Sequence, residues 1–170
     1  RVARFLRLRT RLRRLALERA PTLFLRFARA ADRQELGRAG EALVARALRR
    51  SGWRLLGRRL RTPHGEVDVW ALREGIACAF EVKTGRAILA FHAPPDQHQP
   101  GWDSGRLPGR SLDRSQVARL HRAARWLARR PGARPAVALV EVVVEGGRAT
   151  LLEPQCVPEP DPRAYTRRLP

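Results

Sequence analysis

Hydrophobic and polar residues alternate along two neighbouring segments in the middle of the chain, from Glu66 to Leu72 and from Ile76 to Lys83. Alternation with a period of two is typical of β-strands that bury one face. Glu74 and Gly75 lie between the segments, and glycine readily adopts the left-handed backbone of a tight turn. The pattern therefore predicts a β-hairpin centred on Glu74 and Gly75.

Four charged residues fall on one face of this predicted hairpin. With Glu74 and Gly75 as the loop, paired residues have numbers that add to 149. Asp68 then faces Glu81, and Glu66 faces Lys83. Side chains alternate between the two faces of a strand, so all four residues project to the same side. Carboxylates directly opposite each other repel, so the pair of acids predicts a compensating cation.

Apolar residues three and four positions apart, the spacing of amphipathic helices, flank the hairpin region on both sides. They predict helices at residues 37–50 and 113–129. Further strands are predicted at residues 53–60 and 136–144, followed by a short return strand that ends at Leu152. This order of elements predicts an α/β protein with a mixed β-sheet flanked by helices.

The chain divides into a central domain and two flanking segments. Residues 1–32 are rich in arginine, residues 33–153 hold the predicted domain with a long loop at 84–112, and residues 154–170 form a proline-rich tail. The first segment is either a basic amphipathic helix that binds an anionic surface or a poorly ordered extension without a specific role. A chain of 170 residues accommodates one domain of ordinary size.

Basic residues outnumber acidic residues about twofold, 35 Lys and Arg against 16 Asp and Glu, which gives a net charge of +19. This excess indicates a polyanionic partner, either nucleic acid or an anionic membrane surface. No apolar run approaches the roughly 20 residues of a spanning helix, so integral membrane association is not expected. Cys78 and Cys156 are too few for a disulfide scaffold, and a reduced, cytoplasmic setting is expected.

Lys83 is the only lysine among the 35 basic residues of the chain. The composition suggests a coding bias that places Arg wherever either residue serves. Arg is a permanently charged planar group, whereas Lys is a compact charge that can lose its proton when partly buried. That difference matters most in catalysis, so Lys83 is predicted to have a catalytic role.

The charged face of the hairpin predicts metal-assisted chemistry. Asp68 and Glu81 offer the oxygen ligands that Mg²⁺ and Mn²⁺ take. Glu41, on the preceding helix, would supply a third carboxylate, or else is an ordinary acid favoured near a helix N-terminus. Glu66 is more simply the salt-bridge partner of Lys83. Lys83 would stabilise developing negative charge or assist deprotonation of a water, as phosphodiester hydrolysis requires.

The spacing of Asp68 and Glu81-Val82-Lys83 is similar to the PD-(D/E)xK signature of restriction-endonuclease-like nucleases. A longer set of residues resembles the YraN-like family of bacterial proteins, which is related to archaeal Holliday-junction resolvases. The resemblance covers roughly residues 33–152, and it implies a restriction-endonuclease-like fold with Glu41, Asp68, Glu81 and Lys83 at the active-site positions. The matching residues are Gly37 to Ala42, Gly52-Trp53, Gly65 to Asp68 and Phe80 to Thr84.

Three places depart from the family pattern. Arg59 stands where the family usually has Asn, and Ala138-Leu139-Val140 stands where it has Arg-Phe-Asp on the late strand. The usual Thr-Arg after the lysine is Thr84-Gly85-Arg86 in this chain, and a long loop follows. The acidic residues and the lysine are retained.

The sequence therefore predicts a divalent-metal-dependent endonuclease that hydrolyses DNA phosphodiester bonds, with branched or repair intermediates as candidate substrates. DNA is favoured over RNA, and RNA stays an alternative substrate. The first alternative is a catalytically inactive nucleic-acid-binding protein of the same fold. The second is a membrane-surface protein held by the arginine-rich segment, and a homodimer is left open. Phosphate contacts are expected from Arg38, Arg86, Arg114, Gln116 and Arg122.

Overall fold

The structure is a computed structural model that describes residues 18–27, 31–86, 112–129 and 132–160. Most of the arginine-rich segment, most of the predicted long loop and the end of the tail lie outside these residues. The helices are α1 (Pro21–Phe27), α2 (Arg33–Arg50) and α3 (Arg114–Ala128). The strands are β1 (Arg54–Thr62), β2 (Gly65–Arg73), β3 (Ile76–Arg86), β4 (Arg134–Glu145), β5 (Arg148–Leu151) and β6 (Gln155–Cys156).

The strands form one mixed β-sheet in the described part of the chain. Its order is β1-β2-β3-β4-β5, and β6 also pairs with β4. β3 and β4 are parallel, whereas the other pairs are antiparallel. Parallel neighbours need a crossover connection, and α3 lies in the chain between these two strands. The predicted α/β class with a mixed sheet is confirmed.

The β2–β3 hairpin has the register expected from the sequence. Its pairs run from Arg73 with Ile76 to Val69 with Phe80, and their residue numbers add to 149. Glu74 and Gly75 have φ angles of 51° and 73°. Positive φ at both loop residues is the feature of a type I′ turn, whose twist matches that of the strands it joins.

Helices cover both faces of the sheet because side chains on neighbouring strand positions point in opposite directions. On one face, α2 packs Val44 and Leu48 into a cluster with Phe80. On the other face, α3 packs Leu120 and Ala124 into a second cluster, together with the strand residues that point to that face. The strands of the site are thereby held between two hydrophobic layers.

Capping residues determine where α2 and α3 begin. Asp32 accepts a hydrogen bond from the backbone N–H of Glu35, whose side chain accepts one from the Asp32 backbone N–H. This reciprocal pair is a capping box, and it starts α2 at Arg33 rather than at the predicted Gly37. Asp113 and Gln116 form the same arrangement at the start of α3.

Two segments that were expected to lie outside regular structure extend the sheet. β3 continues to Arg86, beyond the predicted start of the loop at residue 84, because these residues stay paired with β4 as far as Val144. Within the predicted tail, β6 pairs with β4. The Val157 backbone N–H then donates to the Val137 carbonyl at 2.9 Å. Backbone pairing holds both segments even though they are short.

The end of the predicted extension also contacts the domain. In α1, Phe24 and Leu25 are buried against Leu36 and Ala39 of α2 and against Val144 of β4. None of the described helices has the length and apolar character needed to cross a membrane.

Candidate active site

Asp68 lies where β2 and β3 separate. Within the described strands, the β2–β3 ladder ends at Val69 and Phe80, one position short of the predicted pair of Asp68 with Glu81. Instead, the Val82 backbone N–H donates a hydrogen bond to Asp68 Oδ2 at 2.8 Å. Asp68 therefore takes the place of a strand carbonyl as the acceptor for β3.

Several acidic groups surround the Asp68 carboxylate. Burial, together with the neighbouring negative charges of Glu81 and Glu41, raises its pKa to about 7, even though the Val82 hydrogen bond and the charge of Lys83 act to lower it. A carboxyl group that titrates near neutral pH marks a place where like charges lie close together in a partly dry environment. The other three predicted active-site residues thus all influence the Asp68 carboxylate.

Glu81 and Lys83 form an ion pair on β3. Lys83 Nζ lies 2.7 Å from Glu81 Oε1, and the two side chains are 30% and 14% exposed respectively. The residues are two apart on the strand and therefore project to the same face. This pairing differs from the predicted contact of Lys83 with Glu66, because Glu66 instead lies 3.2 Å from Arg59 Nη2 on β1.

Glu41 reaches the site from α2. The residue is 8% exposed, and its Oε2 atom has no hydrogen-bond partner among the described residues. Arg58 Nη2 lies 4.0 Å from that oxygen. Burial raises the pKa of Glu41, while the charges of Arg59 and Arg58 oppose the shift. A buried, incompletely satisfied carboxylate is a costly feature unless a cation completes its environment.

Gly40 determines how closely α2 approaches β3. A Cβ atom on Gly40 would lie 1.8 Å from Thr84 Oγ1 and 3.0 Å from Thr84 Cβ. Only glycine permits this contact, in which the backbone of α2 meets the side chain of Thr84. Because Glu41 follows Gly40 and Lys83 precedes Thr84, the contact also sets the separation of two candidate site residues.

Gly40→Ala is expected to lower the free energy of unfolding by about 1–3 kcal/mol, the usual cost of overpacking a well-packed interior. Gly37→Ala is the matched control, since it lies on the same helix and a Cβ there would meet nothing within 4 Å. The control should be stabilising by roughly 0.5–1 kcal/mol because alanine has the higher helix propensity. Urea unfolding of both variants measures the difference, and equal stability would contradict the close contact.

Arg59 adopts an unusual backbone conformation opposite Asp68. It lies between the β1–β2 pairs of Arg58 with Val69 and Leu60 with Val67, and its φ is 51°. Asn tolerates this left-handed region much better than Arg does. The Asn that the resembled family has here is consistent with that backbone requirement. In this chain Arg59 instead places its guanidinium beside Glu66.

A divalent cation fits the chemistry of these residues, although their present arrangement is not a complete ligand set. Within the described ranges, no three Asp, Glu, His or Cys side chains converge on one point. Glu81 is held by Lys83, and Asp68 is held by Val82. The orphaned Oε2 of Glu41 and the raised pKa of Asp68 nevertheless mark a site that a cation would stabilise. Mg²⁺ commonly takes only one or two protein carboxylates and retains several waters.

Glu141 is a further candidate site residue, which sequence reasoning did not identify. It is the parallel register partner of Lys83 on β4, and it is only 6% exposed. Register partners on neighbouring strands project to the same face, so Glu141 belongs to the face of Lys83. The available signal was an acid within the hydrophobic run of residues 136–144, directly after the departure at Ala138-Leu139-Val140.

The residues expected to contact phosphates are spread over the domain. Arg38 is close enough to lower the pKa of Glu41, and Arg86 ends β3 with its Nη2 atom 3.4 Å from the Ala31 carbonyl. Arg114 is exposed in the first turn of α3. Gln116 uses its side-chain oxygen to cap that helix. Arg122 lies further along α3 and lines a cavity.

The mixed sheet between helices, with Asp68, Glu81 and Lys83 on adjacent strands, defines a restriction-endonuclease-like α/β fold. The profile described as "Uncharacterised protein family UPF0102" matches residues 40–144. The chain belongs to this family, which is the YraN-like family that its motifs resemble.

Individual relatives support this assignment. A UPF0102 protein of Desulfosudis oleivorans is 30% identical over 122 residues, which cover 72% of this chain and 87% of the relative. One from Paenarthrobacter aurescens is 34% identical over 51% of this chain and 60% of its own length. One from Syntrophotalea carbinolica is 46% identical over 34% of this chain and 46% of its own. The matches to the latter two thus span less than two thirds of those relatives.

Proposed function

We propose that this protein is a divalent-metal-dependent endonuclease that hydrolyses DNA phosphodiester bonds. The observation that carries the proposal is the Asp68 carboxyl group, whose pKa is raised to about 7 beside Glu81 and Glu41. Folded proteins avoid such clusters unless a function or a bound cation compensates for the repulsion. The adjacent Lys83 adds the remaining chemical group that phosphodiester hydrolysis uses.

Each residue has a role in this proposal. Asp68, Glu81 and Glu41 would hold Mg²⁺ or Mn²⁺, which would act as a Lewis acid on the scissile phosphate and make water more acidic. Lys83, next to Glu81, would stabilise the negative charge that develops on the phosphoryl oxygens. Arg58 and Arg59 limit the negative charge around Glu41.

The net charge of +19 supports a nucleic acid as the partner. Arginine contacts to phosphates release condensed counterions, and this release supplies most of the sequence-independent affinity of DNA-binding proteins. A cytoplasmic location is part of the proposal, as is DNA rather than RNA. Branched or repair intermediates are the substrates that the family resemblance suggests.

The experiment is a cleavage assay with the purified full chain. The substrates are linear duplex, single-stranded, flapped and four-way-junction DNA of matched sequence, together with an RNA strand. Cleavage of at least one DNA is expected with Mg²⁺ or Mn²⁺, and none is expected with EDTA. Failure of the folded protein to cut any substrate with either metal would contradict nuclease activity.

A nucleic-acid-binding protein without turnover is the second candidate function. The ion pair of Lys83 with Glu81 favours it, because each of these two charges has a partner within the protein. In that case the cleavage assay yields no product, while the same DNAs still bind.

A further inference from the structure

The outer face of α3 carries a cluster that the proposed cleavage site does not use. Arg122, Arg125, Trp126 and Arg129 are all exposed. Their spacing of three, four and seven residues places them on one side of the helix. All four line a cavity of about 500 Å³, and His64 from the β1–β2 turn lines it as well.

Trp126 is unusual among the large apolar side chains. It is 36% exposed, and in the described part of the chain the other exposed large hydrophobic residue is Leu23. Leu120 and Ala124 of the same helix are buried in the core. Trp126 lies among three arginines at this cavity, an arrangement that suits a partner with both a flat ring and a negative charge.

We propose that this cavity binds an unpaired nucleotide of a single-stranded nucleic-acid segment, with its base stacked on Trp126 and its phosphates contacted by the arginines. An indole face stacks on any base, and surrounding positive charge follows the phosphate backbone. Bases inside a duplex are already stacked on their neighbours, so the indole can accept only a base that has left the helix. The substrate class is therefore DNA with a single-stranded segment.

This inference rests on the proposed function for its choice of nucleic acid, and the fold links the cavity to the same site. His64 immediately precedes β2, the strand that carries Asp68. Arg119 of α3 lies against the start of that strand, since a Cβ on Gly65 would lie 2.9 Å from Arg119 Cδ. A single-stranded nucleic acid bound along α3 would thus contact β2, the strand that positions the Asp68 carboxylate.

Glu159 competes with phosphate for this surface. Its carboxylate contacts Arg125 Nη1, and the two side chains are exposed. Exposed ion pairs contribute little to stability, so a phosphate can displace this one at small cost. Glu159→Gln removes the competing charge, and it should strengthen binding of a single-stranded DNA by about two- to fivefold.

The test measures binding of the full chain to a fluorescent thymidine 12-mer and to a blunt duplex hairpin, both in EDTA. Trp126→Ala should weaken binding of the single strand by about tenfold, and that of the duplex by less than about twofold. Trp126→Phe should retain most of the affinity because it keeps an aromatic face. Leu23→Ala is the control for loss of an exposed apolar side chain, and circular dichroism melting checks folding.

The outcomes separate this inference from the proposed function, because binding in EDTA requires no cleavage. Equal loss for single strand and duplex would overturn the stacking role, as would unchanged binding by folded Trp126→Ala. Vesicles of anionic lipid provide the membrane comparison. If Trp126→Ala weakens vesicle binding more than DNA binding, the surface belongs to a membrane contact and the inference is overturned. Absence of cleavage alone would leave these expected affinities unchanged.

Discussion

Lys83→Arg is expected to lower the rate of DNA cleavage by about 100-fold or more, the usual contribution of a positioned proton-transfer group. The variant keeps the positive charge, so the pairing with Glu81 and the affinity for DNA should change little. Arg is larger and remains protonated, whereas Lys is compact and can exchange its proton. With Nζ only 2.7 Å from Glu81 Oε1, a guanidinium would crowd the space beside the carboxylates.

The measurement compares single-turnover cleavage with Mg²⁺ and Mn²⁺ and, separately, binding in EDTA. Arg148→Lys is the matched control, since it makes the reverse exchange at an exposed residue on β5. It should cut at the rate of the parent. Cleavage by Lys83→Arg at the parental rate would remove the catalytic role of the lone lysine.

Asp68→Asn is expected to abolish cleavage and to stabilise the metal-free protein by about 2–4 kcal/mol at pH 8. The stabilisation follows from the environment of the carboxylate, in which burial and the charges of Glu81 and Glu41 disfavour ionisation. The Asn side-chain oxygen can still accept the hydrogen bond from the Val82 backbone N–H. A substitution that removes activity and raises stability is the expected behaviour of a functional carboxylate rather than a structural one.

The effect of pH has a definite sign. The pKa of Asp68 is about 7 in the folded protein against an ordinary value of 3.8. Below the ordinary value, both folded and unfolded chains hold the proton and the group costs nothing. As the pH rises, the unfolded chain releases its proton first, so this group lowers the free energy of unfolding until the pH passes about 7. The advantage of Asp68→Asn should therefore grow between pH 4 and pH 7 and then level off.

Urea unfolding in EDTA across this pH range measures the advantage. Asp113→Asn is the control, because hydrogen bonds from Ser115 and from the Gln116 backbone N–H lower the pKa of Asp113. Asn caps a helix about as well as Asp, so this variant should show no gain that grows with pH. A constant difference between Asp68→Asn and the parent from pH 4 to pH 8 would contradict the raised pKa.

The sequence predicted the elements whose patterns are local. The β2–β3 register followed from alternation of side chains and from a two-residue loop, both of which depend on neighbouring residues only. The predicted register was wrong one pair further along, because the Asp68 side chain accepts a hydrogen bond from the Val82 backbone where the two strands separate. No alternation pattern within the hairpin encodes that separation.

Other parts of the site depend on contacts between distant segments. Glu141 lies on the same face as Lys83 because β3 and β4 pair in parallel with these two residues in register. The sequence alone does not specify which residues of two parallel strands are partners. Arg59 pairs with Glu66 and has a positive φ, a backbone conformation that the residue type does not predict. β6 contains two residues, which is too short for any periodicity to be detected.

The contact between Gly40 and Thr84 joins the two elements that carry Glu41 and Lys83, α2 and β3, into one mechanical unit. Side chains that meet across an interface can change rotamer and absorb a small shift, but the helix backbone at Gly40 has no such freedom. Adjustments at the site must therefore come from the rotatable bonds of Glu41 and Lys83 while α2 and β3 stay in place. The two positions share one space, so a larger residue at position 40 requires a smaller one at position 84.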